Sequence, residues 1–174
     1  MLFRSQRGIL DRTLSPAPGI PPGTLERART GVTAALRQLG HEGVLCVEFF
    51  LCRGELVANE MAPRVHNSGH WTIEGAATSQ FENHVRAVAR MPLGSTASKG
   101  VAVMRNLIGE VPAPDAALPA SVALHLYGKS PRAGRKLGHL TSVAQRESIA
   151  MSDADAAFAA LNAQPASARG CALS

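Results

Sequence analysis

Three side chains with oxygen donors, Glu48, Asn59 and Glu60, lie on two strand-like runs separated by a short turn. The runs cover residues 44–51 and 56–61, and Gly54 between them supplies the backbone freedom that a β-hairpin turn requires. Carboxylate and amide oxygens suit hard cations, and Mg²⁺ is usually held by one or two carboxylates together with phosphate groups. The set therefore suggests a magnesium site, although from spacing alone a hairpin with a solvated polar face is the simpler interpretation.

The register of this hairpin decides whether the two carboxylates meet. A loop with an odd number of residues centred on Gly54 places Glu48 directly opposite Glu60. A loop of two or four residues instead pairs Glu48 with Asn59 and turns Glu60 to the other face. Like charges directly opposite each other destabilise a sheet unless a cation lies between them. We expect the odd-numbered loop, and with it a metal site.

The loop after the second strand is rich in groups that bind anions. Arg64 can form a bidentate pair with a phosphate or carboxylate, and backbone amides near Gly69 can surround an anion. His66 and His70 have the spacing of some zinc-binding helices, but Pro63 and Gly69 argue against a helix, so zinc is not expected. Without the neighbouring hairpin, an ordinary polar loop would explain these residues better. The candidate residues of the loop are Arg64, His66, Asn67, Ser68 and Gly69.

A third group of candidates is the basic segment at residues 127–139. Its cations, among them Lys129 and Arg135, lie between glycines and could surround a phosphate, with Lys as a point charge and Arg as a fork. The segment does not have the GxxxxGK[ST] order of a Walker phosphate loop. A solvated basic turn explains the same residues about equally well.

The elements that position these residues predict an α+β protein. A strand is expected at residues 8–14, followed by a helix with Thr24 as its N-cap and Gly40 at its end. After the hairpin and the polar loop, residues 79–82 have the form of a capping box, and the helix that they begin should end near Arg90.

A stretch rich in Gly and Ser at residues 92–99 predicts a domain boundary. We therefore expect one domain at residues 1–94 and a second, small β-rich domain at residues 95–174. The second domain should contain short strands at residues 101–107, 122–127 and 139–143. An alanine-rich helix introduced by Ser152 should follow.

The composition excludes several classes of protein. The chain has 174 residues, of which 45% are hydrophobic, and a formal net charge of +5. Aromatic residues make up only 4%, which argues against a nucleic-acid partner because stacking platforms are scarce. Neither a bilayer-spanning run nor a signal peptide is visible, so we expect no membrane association. The odd set of cysteines, Cys46, Cys52 and Cys171, predicts reduced thiols and a cytoplasmic location.

Several segments, taken in order, closely resemble the 5-(carboxyamino)imidazole ribonucleotide synthase family of ATP-grasp enzymes. The resemblance is carried by residues 47–50, 59–74 and 78–82, and by a C-terminal signature at residues 127–129 and 134–139. The most specific part is His66-Asn67-Ser68-Gly69-His70-Trp71-Thr72. The resemblance implies the second half of an ATP-grasp domain, an antiparallel sheet with helices, followed by a small β-rich C-terminal domain.

The resemblance also implies a reaction and roles for the candidate residues. ATP and bicarbonate would give carboxyphosphate, which carboxylates aminoimidazole ribonucleotide in purine biosynthesis. Glu48 and Glu60 would hold Mg²⁺, with Asn59 beside them at the phosphates of the co-substrate ATP. Lys129 and Arg135 would bind the phosphate of the ribonucleotide. The bicarbonate and acyl-phosphate side would be lined by Arg64, His66, Asn67, Ser68 and Gly69. A homodimer is implied for the full-length enzyme.

The chain also departs from the family pattern. The family places a substrate domain and the first half of the ATP-grasp fold before this region, and residues 1–6 and those beyond Val143 depart from its pattern. We therefore expect a fragment that does not turn over ATP alone, and a start that is not the native one. Two alternatives remain open: a different ATP-grasp carboxylase or formate-using ligase, or a non-catalytic fragment that binds anions or dimerises.

Overall fold

The computed structural model describes residues 1–6, 8–110 and 117–162. These residues form two compact units. The hairpin unit is Ala17–Lys99, and the sheet unit combines Met1–Pro16 with the described residues from Gly100 onward. This division differs from the predicted domains at residues 1–94 and 95–174, because the first sixteen residues fold with the later unit.

The hairpin unit begins with helix α1, Pro22–Leu39. Gly40 ends the helix in the left-handed conformation, as predicted, with φ of 56°. The predicted N-cap was wrong: Pro21 occupies that position, and Thr24 lies in the first turn, where its amide donates to the Pro21 carbonyl at 2.9 Å. The helix begins earlier because Pro22 has the fixed φ of a first helical residue and needs no amide hydrogen there.

Two antiparallel strands follow, β3 (Cys46–Cys52) and β4 (Glu55–Ala62). The chain then forms a 3₁₀ turn at Asn67–Gly69 and two helices, α2 (Thr72–Gly75) and α3 (Gln80–Val88). Ser79 caps α3 as predicted, since its hydroxyl accepts from the Glu82 amide at 3.1 Å. Helix α3 ends at Val88, ahead of the predicted Arg90, which has a positive φ of 56°.

The sheet unit is a five-stranded antiparallel sheet in the order β1-β2-β5-β7-β6. The strands are β1 (Leu2–Gln6), β2 (Ile9–Ser15), β5 (Val101–Ile108), β6 (Val122–Leu126) and β7 (Lys136–Ala144). Residues 1–6, which the sequence analysis left outside the pattern, thus form an edge strand paired with β2. Strands β2, β5 and β7 overlap the predicted runs at residues 8–14, 101–107 and 139–143, and most of their residues are buried.

Helix α4 (Glu147–Asn162) covers this sheet. Three of its four buried residues are alanines three or four positions apart, so the helix can approach the strands closely: Ala150, Ala154 and Ala157, with Leu161 as the fourth. They pack with Leu14, Val103 and Leu140 to form the core of the unit. The helix begins at Glu147, ahead of the predicted Ser152. Residues 163–174, and with them Cys171, lie outside the described residues.

The α+β class is therefore confirmed. In the part of the chain that the structure describes, none of the helices has the length and apolar character needed to cross a membrane.

Candidate functional site

The β3–β4 hairpin brings the two candidate metal ligands together. Glu48 is directly opposite Glu60, as predicted. The predicted loop was wrong, however: Cys52 pairs with Glu55, which leaves a two-residue turn of Arg53 and Gly54. Both turn residues have positive φ, 51° and 85°, as in the type I′ turns that match the twist of a hairpin.

A β-bulge reconciles the two-residue turn with the pairing of the carboxylates. The register shifts between Glu48 and Phe49, so that Phe49 faces Ala58 while Glu48 faces Glu60. Asn59 is the extra residue on β4, and it is exposed. Without the bulge, a two-residue turn would have paired Glu48 with Asn59. The bulge therefore sets the geometry of the candidate site, which is where bulges are often found.

His66 lies between the two carboxylates. Its Nδ1 is 3.5 Å from Oε1 of Glu48, and its Nε2 is 3.6 Å from Oε1 of Glu60. The side chain of Glu48 is only 9% exposed and that of Glu60 is 51% exposed. One carboxylate thus faces the interior of the unit and the other faces solvent, with an imidazole in reach of both.

The position of His66 is set by hydrogen bonds from Ser68. The Ser68 hydroxyl lies 2.9 Å from Nδ1 of His66, and the Ser68 amide donates to the same nitrogen at 3.4 Å. Because Nδ1 accepts from this amide, the neutral ring carries its proton on Nε2, which faces Glu60. Ser68 itself is fully buried, so this turn is a fixed part of the unit.

Gln80, at the start of α3, holds the loop in place from the other side. Its amide oxygen accepts from the backbone N–H of His66 at 3.0 Å. Its amide nitrogen lies 2.8 Å from both the His66 carbonyl and Nδ1 of His70. A side chain on Gly69 would clash, since a Cβ there would lie 2.6 Å from Oε1 of Gln80. Close approach to Gln80 is therefore the reason for glycine at this position.

The remaining loop candidates are placed differently. The Arg64 side chain is exposed and donates to the Val65 carbonyl at 3.0 Å. Asn67 begins the 3₁₀ turn for which His66 is the N-cap. His70 binds Gln80 and packs on the ring of Phe81, with centroids 5.1 Å apart. The ring of His66 contacts Ser68 and the two carboxylates, whereas the ring of His70 contacts Gln80 and Phe81.

Cys46, two positions before Glu48 on β3, also lies at the site. Its Sγ is 3.7 Å from the Ser68 hydroxyl, and the residue is half-buried. Burial raises the pKa of the Cys46 thiol, and the Ser68 hydroxyl opposes that shift. From the sequence, Cys46 was expected only to be a reduced thiol, and Gln80 only to belong to a capping box. Strand alternation from Glu48 would have indicated that Cys46 shares its face, whereas no local pattern indicated the contacts of Gln80.

Lys129 and Arg135 belong to the sheet unit, in the connection between β6 and β7. Lys129 is exposed, with its ammonium 5.0 Å above the ring of Tyr127. Arg135 is half-exposed, and its guanidinium lies 3.5 Å from the Ser130 carbonyl. The hydroxyl of Tyr127 lies 2.7 Å from Nδ1 of His139. Lys129 and Arg135 can therefore reach a ligand from the β6–β7 connection. Tyr127 anchors this connection to β7 through His139.

The donor set fits a hard divalent cation. Two carboxylates placed directly opposite each other repel unless positive charge lies near them, and a cation between them would remove that repulsion. Carboxylate oxygens are the ligands that Mg²⁺ takes from proteins, usually one or two of them with phosphate oxygens and water. Glu48 and Glu60 match this requirement.

Comparisons with known proteins agree with the fold and extend over both units. Residues 3–81 match the family model of the ATP-grasp domain. Residues 102–152 match that of the phosphoribosylaminoimidazole carboxylase C-terminal domain. The first match begins at residue 3, so most of β1 lies inside the family pattern, contrary to the sequence analysis.

Two curated relatives with the same name are similar to this chain. The chain is 58% identical over 111 residues to N5-carboxyaminoimidazole ribonucleotide synthase of Pseudomonas aeruginosa, covering 63% of this chain and 31% of that protein. It is 50% identical over 143 residues to the same-named protein of Brucella melitensis, covering 80% of this chain and 39% of the relative. The chain thus spans about a third to two fifths of the length of these relatives.

Solved structures give the same result. N5-carboxyaminoimidazole ribonucleotide synthetase from Thermus thermophilus superposes with a TM-score of 0.85 at 47% identity, over 94% of this chain and 46% of that one. The Aspergillus clavatus synthase, solved with ADP and 5-aminoimidazole ribonucleotide, has a TM-score of 0.83 at 30% identity, over 92% of this chain and 46% of that one. The chain therefore belongs to the N5-carboxyaminoimidazole ribonucleotide synthase family of ATP-grasp ligases.

Proposed function

We propose that this chain provides the magnesium and bicarbonate side of an ATP-dependent carboxylase that makes N5-carboxyaminoimidazole ribonucleotide from aminoimidazole ribonucleotide, bicarbonate and ATP. The observation that carries the proposal is the pairing of Glu48 with Glu60 around His66. It is supported by the Aspergillus clavatus relative, whose structure contains ADP and 5-aminoimidazole ribonucleotide. The product is an intermediate of purine biosynthesis.

In this proposal Glu48 and Glu60 hold Mg²⁺, and Asn59 on the bulge lies beside the ATP phosphates. Bound there, Mg²⁺ would neutralise phosphate charge as the γ-phosphoryl group passes to bicarbonate. Glu48, nearly buried, fixes the position of the ligand pair, while the exposed Glu60 faces the side from which a nucleotide can enter. Both carboxylates lie on paired strands, which hold a site more rigidly than loops do.

The polar loop would then bind bicarbonate and the acyl phosphate formed from it. Arg64 is exposed and can turn from its backbone contact to form a bidentate pair with a carboxylate or phosphate. His66 is oriented by Ser68 and can donate from Nε2 to an anion near Glu60. Asn67, Ser68 and Gly69 form the 3₁₀ turn that lines this side of the loop. The Ser68 and Gly69 amides already donate to Nδ1 and to the carbonyl of His66, so these residues would act by holding His66 toward the anion.

Lys129 and Arg135 would bind the phosphate of the ribonucleotide. Both project from the β6–β7 connection, and two cations near each other in sequence suit a phosphate dianion. We further propose a homodimer and a cytoplasmic location for the full-length protein, which rest on the family resemblance and on the free thiols Cys46 and Cys52. The 174-residue chain assayed alone is expected not to turn over ATP.

The proposal is tested with a full-length protein in which this chain follows the N-terminal portion of the Pseudomonas aeruginosa relative. We expect ADP and N5-carboxyaminoimidazole ribonucleotide to form when bicarbonate and aminoimidazole ribonucleotide are both supplied. Formate in place of bicarbonate should give only background ADP. Product formation with formate, or with a different amine acceptor in preference, would favour another ATP-grasp ligase and overturn the proposal.

A further inference from the structure

Cys46, Glu48 and His66 form a cluster of metal-binding groups within the hairpin unit. Their ligand atoms, a thiol sulfur, a carboxylate oxygen and an imidazole nitrogen, all lie within 4.8 Å of one another. Cys46 and Glu48 are alternate residues of β3 and therefore share a face of the strand. His66 is brought to the same face by the loop that Gln80 fastens. The cluster is thus assembled by the fold and does not depend on a flexible side chain alone.

The chemistry of this cluster differs from that of a magnesium site. Mg²⁺ prefers oxygen ligands, whereas a thiolate and an imidazole are the usual ligands of Zn²⁺. Bond lengths of about 2.0–2.3 Å place tetrahedral zinc ligands roughly 3.3–3.8 Å apart, so small side-chain rotations would close the observed spacing. Divalent zinc also binds nitrogen and sulfur sites far more tightly than hard cations do.

The environment of the three donor residues favours the binding of a metal ion. Glu48 is 8% exposed and His66 and Cys46 are half-buried, so the three donors lie at the edge of the interior with access from the Glu60 side. The Ser68 hydroxyl, 3.7 Å from Sγ and 2.9 Å from Nδ1 of His66, lies between two of the donors. When a metal takes the lone pair of Nδ1, this hydroxyl can donate to the Cys46 sulfur instead, as outer groups of zinc sites do. Glu60 or a water molecule can supply the fourth ligand.

We propose that Cys46, Glu48 and His66 form a Zn²⁺-binding site, in which the thiol gives its proton to solvent as the sulfur–zinc bond forms. Because Glu48 is shared, zinc here excludes magnesium from the Glu48–Glu60 pair. The zinc site stands on its own geometry, whereas the exclusion of magnesium rests on the proposed function. Zinc would therefore inhibit the ligase reaction through a residue, Cys46, that takes no part in it.

The site can be observed with Co²⁺, which replaces zinc and gives a sulfur-to-cobalt charge-transfer band only when a thiolate is bound. The 174-residue chain with Cys171→Ser serves as the background, so that Cys46 and Cys52 are its only thiols. We expect the band to appear on Co²⁺ addition and to disappear when Zn²⁺ is added. Cys46→Ser should abolish the band and weaken Zn²⁺ binding by at least about tenfold.

Cys52→Ser is the matched control, because Cys52 is exposed at the hairpin end of the same strand. It should keep both the band and the zinc affinity. Retention of the band in Cys46→Ser, or its loss in Cys52→Ser, would overturn the proposal. His66→Gln is a second variant for the case in which Cys46→Ser does not fold. It should also weaken Zn²⁺ binding by at least about tenfold, and unchanged affinity in a folded His66→Gln chain would contradict the site.

The exclusion of magnesium is measured separately, with the chain half-saturated in Co²⁺. Excess Mg²⁺ should lower the charge-transfer band if both ions need Glu48. A band that depends on Cys46 but keeps its Co²⁺ affinity in Glu48→Gln would leave the cysteine site standing and refute the shared use of Glu48. The failure of the zinc site and that of the magnesium assignment therefore give different results.

Discussion

Gln80 is the residue on which the conformation of the polar loop depends most. Its side chain satisfies the amide and the carbonyl of His66 and also contacts His70, so one residue fixes both ends of the turn. A Cβ on Gly69 would displace the Gln80 amide from these hydrogen bonds. The residues proposed to bind anions are thus positioned by a neighbour that would contact none of their ligands.

Replacing Gln80 by Leu keeps the volume but removes these hydrogen bonds. We expect the free energy of unfolding of the hairpin unit to fall by about 1–2 kcal/mol, since the part-buried amide of His66 loses its partner and its carbonyl keeps only the Gly69 amide. Urea denaturation followed by the fluorescence of Trp71, the single tryptophan, measures this change next to the loop. Glu82→Gln, on the same helix and exposed, should change stability by less than about 0.5 kcal/mol. Equal effects of the two variants would refute the role of Gln80.

Lys129 gives a second prediction at the level of single residues. In the full-length protein, Lys129→Ala should raise the KM for aminoimidazole ribonucleotide by about tenfold, because one charge-assisted hydrogen bond to phosphate, worth roughly 1.5 kcal/mol, is lost. The kcat should change less. Arg146→Ala, exposed and outside the basic segment, is the control and should leave KM unaltered. An unchanged KM in Lys129→Ala would remove this residue from the phosphate site.

At the level of elements, the hairpin shows what the sequence could and could not predict. The two strands and Gly54 in the turn followed from the residue pattern. The pairing of Glu48 with Glu60 was predicted correctly, but from an odd-numbered loop that the structure does not have. The bulge at Asn59 did not follow from the pattern, because β4 (Glu55–Ala62) has no regular alternation of apolar and polar residues that one extra residue would visibly interrupt. Likewise, the contacts of Gln80 join residues distant in sequence, and periodicity carries no information about them.

The pairing of β6 with β7 gives a prediction for an element. A Cβ on Gly138 would lie 2.4 Å from the His125 backbone carbonyl, and Gly138 pairs with Leu126 on the neighbouring strand. Gly138→Ala should therefore separate the strands and lower the stability of the sheet unit by at least about 2 kcal/mol. Amide hydrogen exchange of β6 and β7 measures this loss.

Gly31 provides the comparison for that substitution. It lies in exposed helix α1 with nothing within 4 Å of its added Cβ, so Gly31→Ala should stabilise the helix by up to about 1 kcal/mol. Amide exchange within α1 should slow accordingly. If Gly138→Ala slowed exchange in β6 and β7 as well, close backbone packing would not be the reason for this glycine.

At the level of the whole molecule, the predicted domain bounds differ from the structure in the placement of the first sixteen residues. Residues 1–16 were assigned to the first domain because they precede it in sequence, yet β1 and β2 pair with each other, and β2 pairs with β5, which begins at Val101. A local pattern identifies a strand but not its partner across eighty intervening residues. The family resemblance, by contrast, depends on residues quoted directly from the sequence, and the family and fold that it implied are confirmed by both comparisons with relatives and comparisons with structures.

The central claim is that Glu48 and Glu60 hold the Mg²⁺ on which bicarbonate-dependent ATP cleavage depends. It is tested most directly by Glu60→Gln in the full-length protein, with ADP release measured at saturating bicarbonate and aminoimidazole ribonucleotide. We expect a loss of at least about 100-fold with unchanged circular dichroism, because the charge of one metal ligand is removed. Glu55→Gln, which removes an exposed carboxylate from the same strand, should retain wild-type activity. Wild-type rates in Glu60→Gln, or an equal loss in Glu55→Gln, would contradict the assignment.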